Sequence, residues 1–422
     1  MSSTAPGTLP LVAVTYSGLH TEDPPLLLAE GARDTCRLAW VLPDAGAVSR
    51  GAARMLRGLG EIIDVTGLAP HEAAEHVRAS GAAGITCFND SNLVWTAAIA
   101  DLLGFAFFSP LAAVRLTDKL EQRRALAQHG LATPRFWDAD ELSDESARSE
   151  VGRTVGFPVV LKPRRGRSSA DVEAVRSQDE LRSALSRVSP GRMLVESYIP
   201  DPTTPPTNSA VAPYVSVELA VSRGQAVVLG VTGKTPLAPP FRETGQLFPA
   251  DLPDALRQEL AETAISSARA LGVETGALHI EIKCTDDGPV VIEANGCMGG
   301  GPLRDLMIAV IGVDLVQLSY RLAAGDEVSL AHATPASGVG FHFEVQPDPS
   351  VRHIETIEGL DTLADIPGVE RVVPGLQPGD DFDWRTGSHA FAATILGTAP
   401  DHATALRIRD EFISRVVITG RP

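Results

Sequence analysis

Cysteine is scarce in this sequence, and its placement argues against two common kinds of site. The chain has 4 cysteines in 422 residues. They form no CxxC pair and no spacing typical of zinc ligands; they are Cys36, Cys87, Cys284 and Cys297. The pattern therefore predicts neither a disulfide scaffold nor a structural zinc centre, and it fits free thiols in a reducing cytosol.

Long apolar runs are missing as well. The best candidate, 97–114, is interrupted by Asp101, Ser109 and Pro110, so no transmembrane helix is predicted. The opening segment MSSTAPGTLPLVAV has no basic residue ahead of its short apolar part, which is unlike a secretory signal. We therefore expect a cytoplasmic protein that does not associate with membranes.

Basic residues are outnumbered by acidic ones. The 36 lysines and arginines face 53 aspartates and glutamates, giving a net charge of −17. Nucleic-acid binding needs a basic face, so we expect no nucleic-acid partner, and anionic lipid surfaces are disfavoured for the same reason. At roughly 150 residues per domain, the length predicts two or three domains.

Short apolar, β-rich runs recur in the first part of the chain, with helical patterns between them. These runs lie at 11–16, 37–42, 61–65 and 84–88. Strands that alternate with helices indicate a parallel α/β layer, which we expect to extend to about residue 115. No GxGxxG follows the first run, so a dinucleotide site is not expected there.

The segment 276–302, GALHIEIKCTDDGPVVIEANGCMGGGP, predicts a hairpin with acidic residues on one face. With Asp287 at the centre of the turn, Glu281 and Glu293 lie opposite each other, where like charges are destabilising. The period of two gives each strand one shared face, made of His279, Glu281 and Lys283 on the first strand and of Val291, Glu293 and Asn295 on the second. Two carboxylates and an amide suit Mg²⁺, although a solvated strand face with two harmless glutamates stays open as an alternative.

Two lysines stand where an anion could bind. Lys119 is in the first turn of a helix that begins at Thr117-Asp118, and Lys162 ends an apolar strand before the loop PRRGRSSAD. Small loop residues let backbone N–H groups approach an anion, and a lysine adds a point charge. The segment 196–199 (ESYI) ends a strand, where backbone groups could read the edge of an adenine. Each feature alone is equally explained by a surface lysine or an ordinary strand end.

The order and spacing of these segments resemble the ATP-grasp superfamily, and within it the carboxylate–amine ligases that include bacterial L-amino acid ligases. The segments that carry the resemblance are TDKLEQRRALAQHGLATPRF, GFPVVLKPRRGRSSADV, VESYIP, YVSVEL, GVTGKTPLAPPFRETGQLFPADL, HIEIK and IEANGCMGG. The resemblance implies an α/β fold with an N-terminal parallel domain at 1–115 and an ATP-grasp domain at 116–330. The latter would have subdomains of about 116–190 and 191–330, and an α+β domain would follow at 331–422.

The resemblance also implies which residues bind ATP, Mg²⁺ and substrate. The expected phosphate contacts are Lys119, Lys162, Lys234 and the loop residue Ser169. The expected adenine contacts are Glu196 and the backbone of Tyr198 and Ile199. The expected Mg²⁺ ligands are Glu281, Glu293 and Asn295, and the catalytic positioning would rest on Lys162, Lys234, Glu281 and Glu293. The residues expected on the substrate side are Glu243, Gln246, Cys297 and Arg304.

The substrate side departs from the family's pattern. Cys297 stands where the family has an arginine that clamps a carboxylate or acyl phosphate, and Gln246 stands where a histidine is usual. Arg304 is the nearest replacement for the arginine, in the first turn of a helix expected to run from Pro302 to about residue 323. His279 is expected to orient its neighbours or to help deprotonate an amine. These changes predict a shifted substrate rather than a lost activity.

The resemblance implies an ADP-forming ligase. ATP would phosphorylate a carboxylate, and an amine would attack the acyl phosphate to form an amide. Two alternatives stay open: another ATP-grasp reaction such as a carboxylation, and a non-catalytic ATP-binding protein. The expected partners are small-molecule carboxylates and amines together with a second copy of the chain in a homodimer, and the expected cofactors are ATP and Mg²⁺.

Overall fold

The N-terminal part of the chain is a parallel α/β layer. The computed structural model describes residues 9–18, 24–204, 210–327 and 337–422. The first sheet has the strand order β3-β2-β1-β4, and all of its pairs are parallel. Its strands are β1 (Leu11–Thr15), β2 (Arg37–Leu42), β3 (Glu61–Asp64) and β4 (Gly84–Cys87), and its helices are α1 (Pro25–Ala32), α2 (Arg50–Leu59), α3 (Pro70–Ala79), α4 (Asp90–Leu103) and α5 (Pro110–Thr117). The alternating runs of the sequence therefore predicted this layer correctly.

A small antiparallel sheet follows, with the strand order β5-β8-β6-β7. Its strands are β5 (Phe136–Asp138), β6 (Val159–Pro163), β7 (Glu173–Val175) and β8 (Met193–Ser197). The helices of this part are α6 (Lys119–Gln128), α7 (Glu145–Val155) and α8 (Gln178–Ser186), with a 3₁₀ turn at Ala139–Leu142. Leucines and valines from both helices and strands form its separate core.

The largest sheet has eight strands in the order β13-β12-β9-β10-β11-β14-β17-β16. These are β9 (Tyr214–Ser222), β10 (Gln225–Lys234), β11 (Gly245–Phe248), β12 (Gly276–Thr285), β13 (Gly288–Asn295), β14 (Val339–Val345), β16 (Val369–Pro374) and β17 (Ala393–Ala399). Around it lie α9 (Asp254–Leu271), α10 (Leu303–Ile311), α11 (Leu315–Ala323), α12 (His402–Arg415), 3₁₀ turns at Leu360–Asp365 and Trp384–His389, and a two-stranded ribbon of β15 (His353–Glu358) and β18 (Val417–Arg421).

The C-terminal strands extend the central sheet. β14 pairs with β11 and with β17, so the last part of the chain shares one sheet with the hairpin of β12 and β13. The domain boundary predicted at 330–331 lies in 328–336, outside the described residues. The division into domains therefore stays a prediction.

The helix predicted from Pro302 to about residue 323 is wrong as a single element. It is two helices, α10 and α11, which break at Gly312 with a left-handed φ of 69° and bend by 94°. No single helix in the described ranges is long and apolar enough to span a membrane; only this bent pair, taken together, passes on length and composition.

The break at Gly312 lets α11 return to the N-terminal layer. Val316 and Tyr320 of α11 are buried in the core of the first sheet, and the Tyr320 hydroxyl donates to the Leu28 carbonyl at 3.1 Å. Residues more than 200 positions apart therefore share one core.

Gly84 provides a test of this packing. A Cβ added at Gly84 would lie 1.8 Å from the Ala323 carbonyl oxygen at the end of α11. Because the obstacle is backbone, Gly84→Ala should lower the free energy of unfolding by about 1–3 kcal/mol. The matched control is Gly51→Ala on the exposed face of α2, where an added Cβ meets nothing within 4 Å. That change should raise stability by about 0.5 kcal/mol, because alanine favours the helix. Urea unfolding measures both, and equal effects would contradict the close approach.

Candidate active site

One cavity of about 890 Å³ gathers the residues that the sequence analysis selected. Its walls come from the small sheet, the large sheet and the N-terminal layer. The predicted site residues that line it are Lys119, Lys162, Ser169, Glu196, Tyr198, Ile199, Lys234, Glu243, Gln246, Glu281, Glu293, Asn295, Cys297 and Arg304. Residues spread over the central part of the sequence therefore meet in one place, and a volume of this size suits a nucleotide with small substrates.

Lys162 is held by a buried ion pair. Its Nζ lies 2.7 Å from Glu196 Oε2, because β6 and β8 are neighbours in the small sheet. The other oxygen, Oε1, accepts from Arg123 Nε at 2.7 Å, and Arg123 also donates to the Ile292 carbonyl. Arg123 is fully buried, and Lys162 and Glu196 are nearly so. Burial and the Arg123 charge lower the pKa of Lys162, while Glu196 acts against that shift.

Glu196 consequently has its two oxygens engaged by cations. Burial raises its pKa, but the charges of Arg123 and Lys162 and their hydrogen bonds outweigh burial, so that the pKa is below its usual value. The predicted adenine contact of Glu196 stays a prediction. The backbone of Tyr198 and Ile199 follows directly at the end of β8, where it lines the cavity.

Lys119 joins three parts of the site. It begins α6, whose N-cap is Asp118, and its Nζ lies 2.8 Å from Glu293 Oε1 and 2.8 Å from the Gly166 carbonyl oxygen. One turn further on, the Gln122 amide exchanges two hydrogen bonds with the backbone of Ala294 at 2.7 and 2.9 Å. Gln122 follows Lys119 by three residues and Arg123 follows it by four, so the three side chains share one face of the helix. This face therefore fixes α6 against β13.

The loop 164–171 is docked on the C-terminal part of the chain. The Ser388 N–H donates to the Ser168 carbonyl at 2.9 Å, and the Asp171 N–H donates to the Arg385 carbonyl at 2.9 Å. A Cβ added at Gly387 would lie 2.0 Å from the Ser168 oxygen. Ser168, Ser169 and Asp171 have left-handed φ values of 53°, 57° and 54°. Aspartate is among the residues other than glycine that tolerate that conformation.

The predicted pairing of Glu281 with Glu293 is present in the hairpin. It arises from a β-bulge: the tight turn pairs Ile282 with Val291, and the register then shifts so that Glu281 meets Glu293. The bulge places Ile292 at the cavity and Val291 in the core. The expectation that Val291 shares a face with the two ligand candidates on its strand is therefore wrong, because one extra residue interrupts the period of two.

Each opposed carboxylate has a cation beside it. Glu293 pairs with Lys119, and Glu281 Oε1 lies 3.6 Å from His279 Nε2. Burial raises the pKa of Glu281, but His279 and Lys234 outweigh it and bring the value to about 2. Protein cations thus offset the repulsion between the carboxylates, so that the repulsion alone does not require a metal ion.

The donor set nevertheless fits Mg²⁺. Two carboxylates in register and the Asn295 amide supply hard oxygen donors, and Mg²⁺ completes its shell with water and phosphate. Among the residues that the structure describes, no group of three or more His, Cys, Asp or Glu side chains has metal-site geometry. Any ion here would therefore depend on waters or phosphate oxygens as well as on Glu281 and Glu293.

Lys234 is the third buried lysine. Its Nζ lies 3.0 Å from Glu243 Oε1 and 3.4 Å from Gln246 Oε1. Burial lowers its pKa, but Glu243 and Glu281 act more strongly in the opposite direction and raise it. Lys234 is therefore charged, and it contacts the proposed substrate loop, which is the segment that carries Glu243 and Gln246.

The site of the missing arginine is acidic. Cys297 Sγ donates to Asp90 Oδ1 at 3.6 Å, and Asp90 lines the cavity from the first turn of α4. Burial and Glu293 raise the pKa of Asp90. Arg304 also reaches the cavity, but its guanidinium makes a bidentate pair with Asp314 at 2.8 and 2.6 Å. The clamp role of Arg304 stays a prediction. The guanidinium of Arg304 is paired with Asp314, which is the N-cap residue of α11.

Several polar residues at the site were missed in the sequence analysis: Gln122, Arg123, Glu218, Asp90, His342 and Glu344. The helix spacing of KLEQR could have identified Gln122 and Arg123 beside Lys119, and a buried glutamate in the apolar run YVSVELAVS could have identified Glu218. Glu218 accepts from His279 Nδ1 at 3.0 Å. Asp90 had no local signal, because only the fold brings the N-terminal layer to Cys297.

The buried Glu196 cluster predicts a large stability effect. Glu196→Gln removes the one negative charge between Arg123 and Lys162, so it should lower the free energy of unfolding by about 3–5 kcal/mol. The exposed pair of Arg78 with Glu75 is the control, and Glu75→Gln should cost less than about 1 kcal/mol. Chemical unfolding at neutral pH measures the difference, and similar losses would contradict a buried, coupled cluster.

Glu196→Gln should also change how the stability of the protein depends on pH. The pKa of Glu196 is lower in the folded protein than in the unfolded chain, where it is about 4.3. The charged Glu196 therefore stabilises the fold fully above the unfolded pKa, and this stabilisation is lost as the pH falls through the folded pKa. Glu196→Gln should therefore lose less stability on acidification than the native protein does. Unfolding curves recorded over this acid range test the sign.

Comparisons with known proteins agree with this geometry. Residues 155–304 match the family model of the ATP-grasp domain. The chain is 28% identical to human carnosine synthase 1 over 289 residues, covering 63% of this chain and 34% of that protein. It is 24% identical to alanine–anticapsin ligase of Bacillus subtilis over 278 residues, covering 61% and 58%. The chain thus spans less than two thirds of the length of either relative.

The fold resembles solved structures over nearly its whole length. The crystal structure of L-amino acid ligase from Bacillus licheniformis aligns with a TM-score of 0.73 at 19% identity, covering 99% of this chain and all of that one. At this identity the likeness concerns the fold alone. Together, the two comparisons show that the chain has an ATP-grasp fold and that its residues 155–304 match the ATP-grasp domain.

Proposed function

We propose that this protein is an ATP-dependent ligase that joins a carboxylate to an amine and releases ADP and phosphate. The observation that supports this most is the shared cavity, where three buried lysines surround two opposed carboxylates and an amide. Phosphoryl transfer requires positioning and charge neutralisation more than covalent chemistry by the protein. This arrangement supplies both.

The reaction has two stages. The substrate carboxylate attacks the terminal phosphate of ATP and becomes an acyl phosphate, and an amine then displaces the phosphate to give an amide. Lys119, Lys162 and Lys234 would neutralise the phosphate oxygens, and Glu196 would keep the Lys162 ammonium in place. Glu281, Glu293 and Asn295 would hold Mg²⁺, which draws negative charge from the phosphates.

The bound state requires an exchange of ion-pair partners. Lys119 pairs with Glu293 and Lys234 pairs with Glu243. Phosphate oxygens would replace the glutamates at the lysines, and Mg²⁺ would replace Lys119 at Glu293. Nucleotide and metal would therefore bind with positive coupling, since each frees the partner that the other uses.

The substrate side points to an amino-acid-like acid without a second carboxylate near Cys297. An arginine there would favour a carboxylate, whereas Cys297 with Asp90 presents a thiol and a partly buried acid. Glu243 and Asp90 would favour an ammonium group on the substrate. We further propose that the protein works as a cytoplasmic homodimer, as the family resemblance implies.

The central experiment is ADP and phosphate release with ATP and Mg²⁺ over a panel of L-amino acids, offered singly and in pairs. A ligase should release ADP only with a suitable acid and amine and should form a dipeptide or amide detectable by mass spectrometry. Release that depends on bicarbonate would favour a carboxylase, and nucleotide binding without turnover would favour a non-catalytic protein.

Glu293 provides the matching variant. Glu293→Ala should reduce ADP release by at least about 100-fold, because it removes one of two carboxylates that would hold the metal. Glu262→Ala on the exposed face of α9 is the control and should leave the rate unchanged. Normal turnover of Glu293→Ala would show that the metal assignment is wrong.

Substitutions of Cys297 test whether the substrate binds beside this residue. Cys297→Arg places a cation beside Asp90, so it should lower kcat/KM for an amino acid accepted by the native enzyme by at least about 10-fold, with the KM for ATP unchanged. Cys297→Ser keeps a small donor to Asp90 and should retain activity. If Cys297→Arg is silent, the substrate does not extend to this part of the cavity.

A further inference from the structure

β14 carries a histidine–carboxylate pair that has no role in the proposed function. His342 and Glu344 are two residues apart on one strand and both line the cavity. His342 Nε2 lies 3.2 Å from Glu344 Oε1, and His342 is 7% exposed. A buried histidine with a carboxylate 3.2 Å from its ring, at the wall of the candidate active-site cavity, is an arrangement suited to proton transfer.

Strand pairing places this histidine beside the substrate loop. His342 pairs in register with Gln246 of β11, so that the two side chains stand on the same face of the sheet. Gln246 in turn contacts Lys234 at 3.4 Å. On the other side, a Cβ added at Gly301 would come within 3.9 Å of the His342 ring. The imidazole therefore lies between Gln246 of the substrate loop and Gly301, the last glycine of the run 299–301.

The carboxylate that orients His342 is itself fixed. The Gln346 amide donates to Glu344 Oε2 at 3.2 Å, and also to the carbonyls of Glu243 and Ser388 at 3.1 and 3.0 Å. Glu344 is thus held from two directions. The second ring nitrogen of His342, Nδ1, has no hydrogen-bond partner among the described residues, and His342 itself lines the cavity.

The other candidate base, His279, lacks a free nitrogen. Its Nδ1 lies 3.0 Å from Glu218, and its Nε2 lies 3.6 Å from Glu281. Glu243 is also engaged, since it pairs with Lys234. Of these groups, His342 alone combines an orienting carboxylate with a ring nitrogen that no described residue occupies.

We propose, on the basis of the ligase function proposed above, that His342 accepts a proton from the attacking amine and that Glu344 positions it. The amine enters as an ammonium ion, which must lose a proton before it can attack. His342 Nδ1 takes this proton and later releases it to solvent. The nitrogen then forms the C–N bond, the bond between the acyl carbon and the phosphate oxygen breaks, and the second proton leaves with inorganic phosphate.

The test separates amine activation from acyl-phosphate formation. Hydroxylamine is uncharged at neutral pH, so it traps an acyl phosphate as a hydroxamate without a base. The purified full-length protein is incubated with ATP, Mg²⁺ and an equimolar mixture of the common L-amino acids, with and without hydroxylamine. Hydroxamate and dipeptide are then measured for the native protein and for His342→Gln, Glu344→Gln and His353→Gln.

His342→Gln should lower the dipeptide rate by at least about 100-fold while hydroxamate formation stays within about twofold of native. Glu344→Gln should lower the dipeptide kcat by about 10-fold, with the KM for ATP and hydroxamate formation unchanged. His353→Gln is the control, because His353 pairs with Asp381 at 3.0 Å on the surface, away from the cavity residues, and it should resemble the native protein.

Two results would overturn the proposal. An equal loss of hydroxamate and dipeptide in His342→Gln, or in Glu344→Gln if the first variant does not fold, would show a structural role. An unchanged dipeptide rate would show that another group takes the proton. A native protein that forms neither product would instead contradict the ligase function, and the proposal would fall with it.

Discussion

The polar face of α6 is the constraint on which the site depends. Within little more than one helical turn, Lys119 reaches Glu293, Gln122 binds the Ala294 backbone and Arg123 binds Glu196. These contacts tie the hairpin of β12 and β13 in the large sheet to β8 of the small sheet. If α6 moved, the proposed metal carboxylates and the lysines proposed to bind phosphate would lose their register together.

The charges of the cavity are arranged as exchangeable pairs. Buried charges are costly unless they are paired, and here each of the three buried lysines has a glutamate partner. The three ion pairs differ in whether a ligand could replace the glutamate beside the lysine. Glu196 is enclosed by Arg123 and Lys162 and acts as a fixed part of the fold, whereas Glu293 and Glu243 face the cavity, where ligands could take their place.

The substrate side carries the features that distinguish this chain. Cys297 contacts Asp90 at the position where the resemblance implies an arginine, while Arg304 pairs with Asp314, the N-cap residue of α11. His342 reaches the cavity from β14, a strand that lies far from Gln246 in sequence but next to it in the sheet.

The sequence by itself determined the parallel N-terminal layer, the hairpin and the lysine segments, because these depend on local periodicity, turns and spacing. It also placed Glu281 opposite Glu293, although the bulge that creates this pairing moves Val291 into the core. Only the tertiary structure decided the partners of the charges: Glu196 with Arg123, Cys297 with Asp90, and Arg304 with Asp314. Ion pairs and hydrogen bonds between distant segments form once the chain is folded, and no local pattern specifies which of many acids a buried cation will meet.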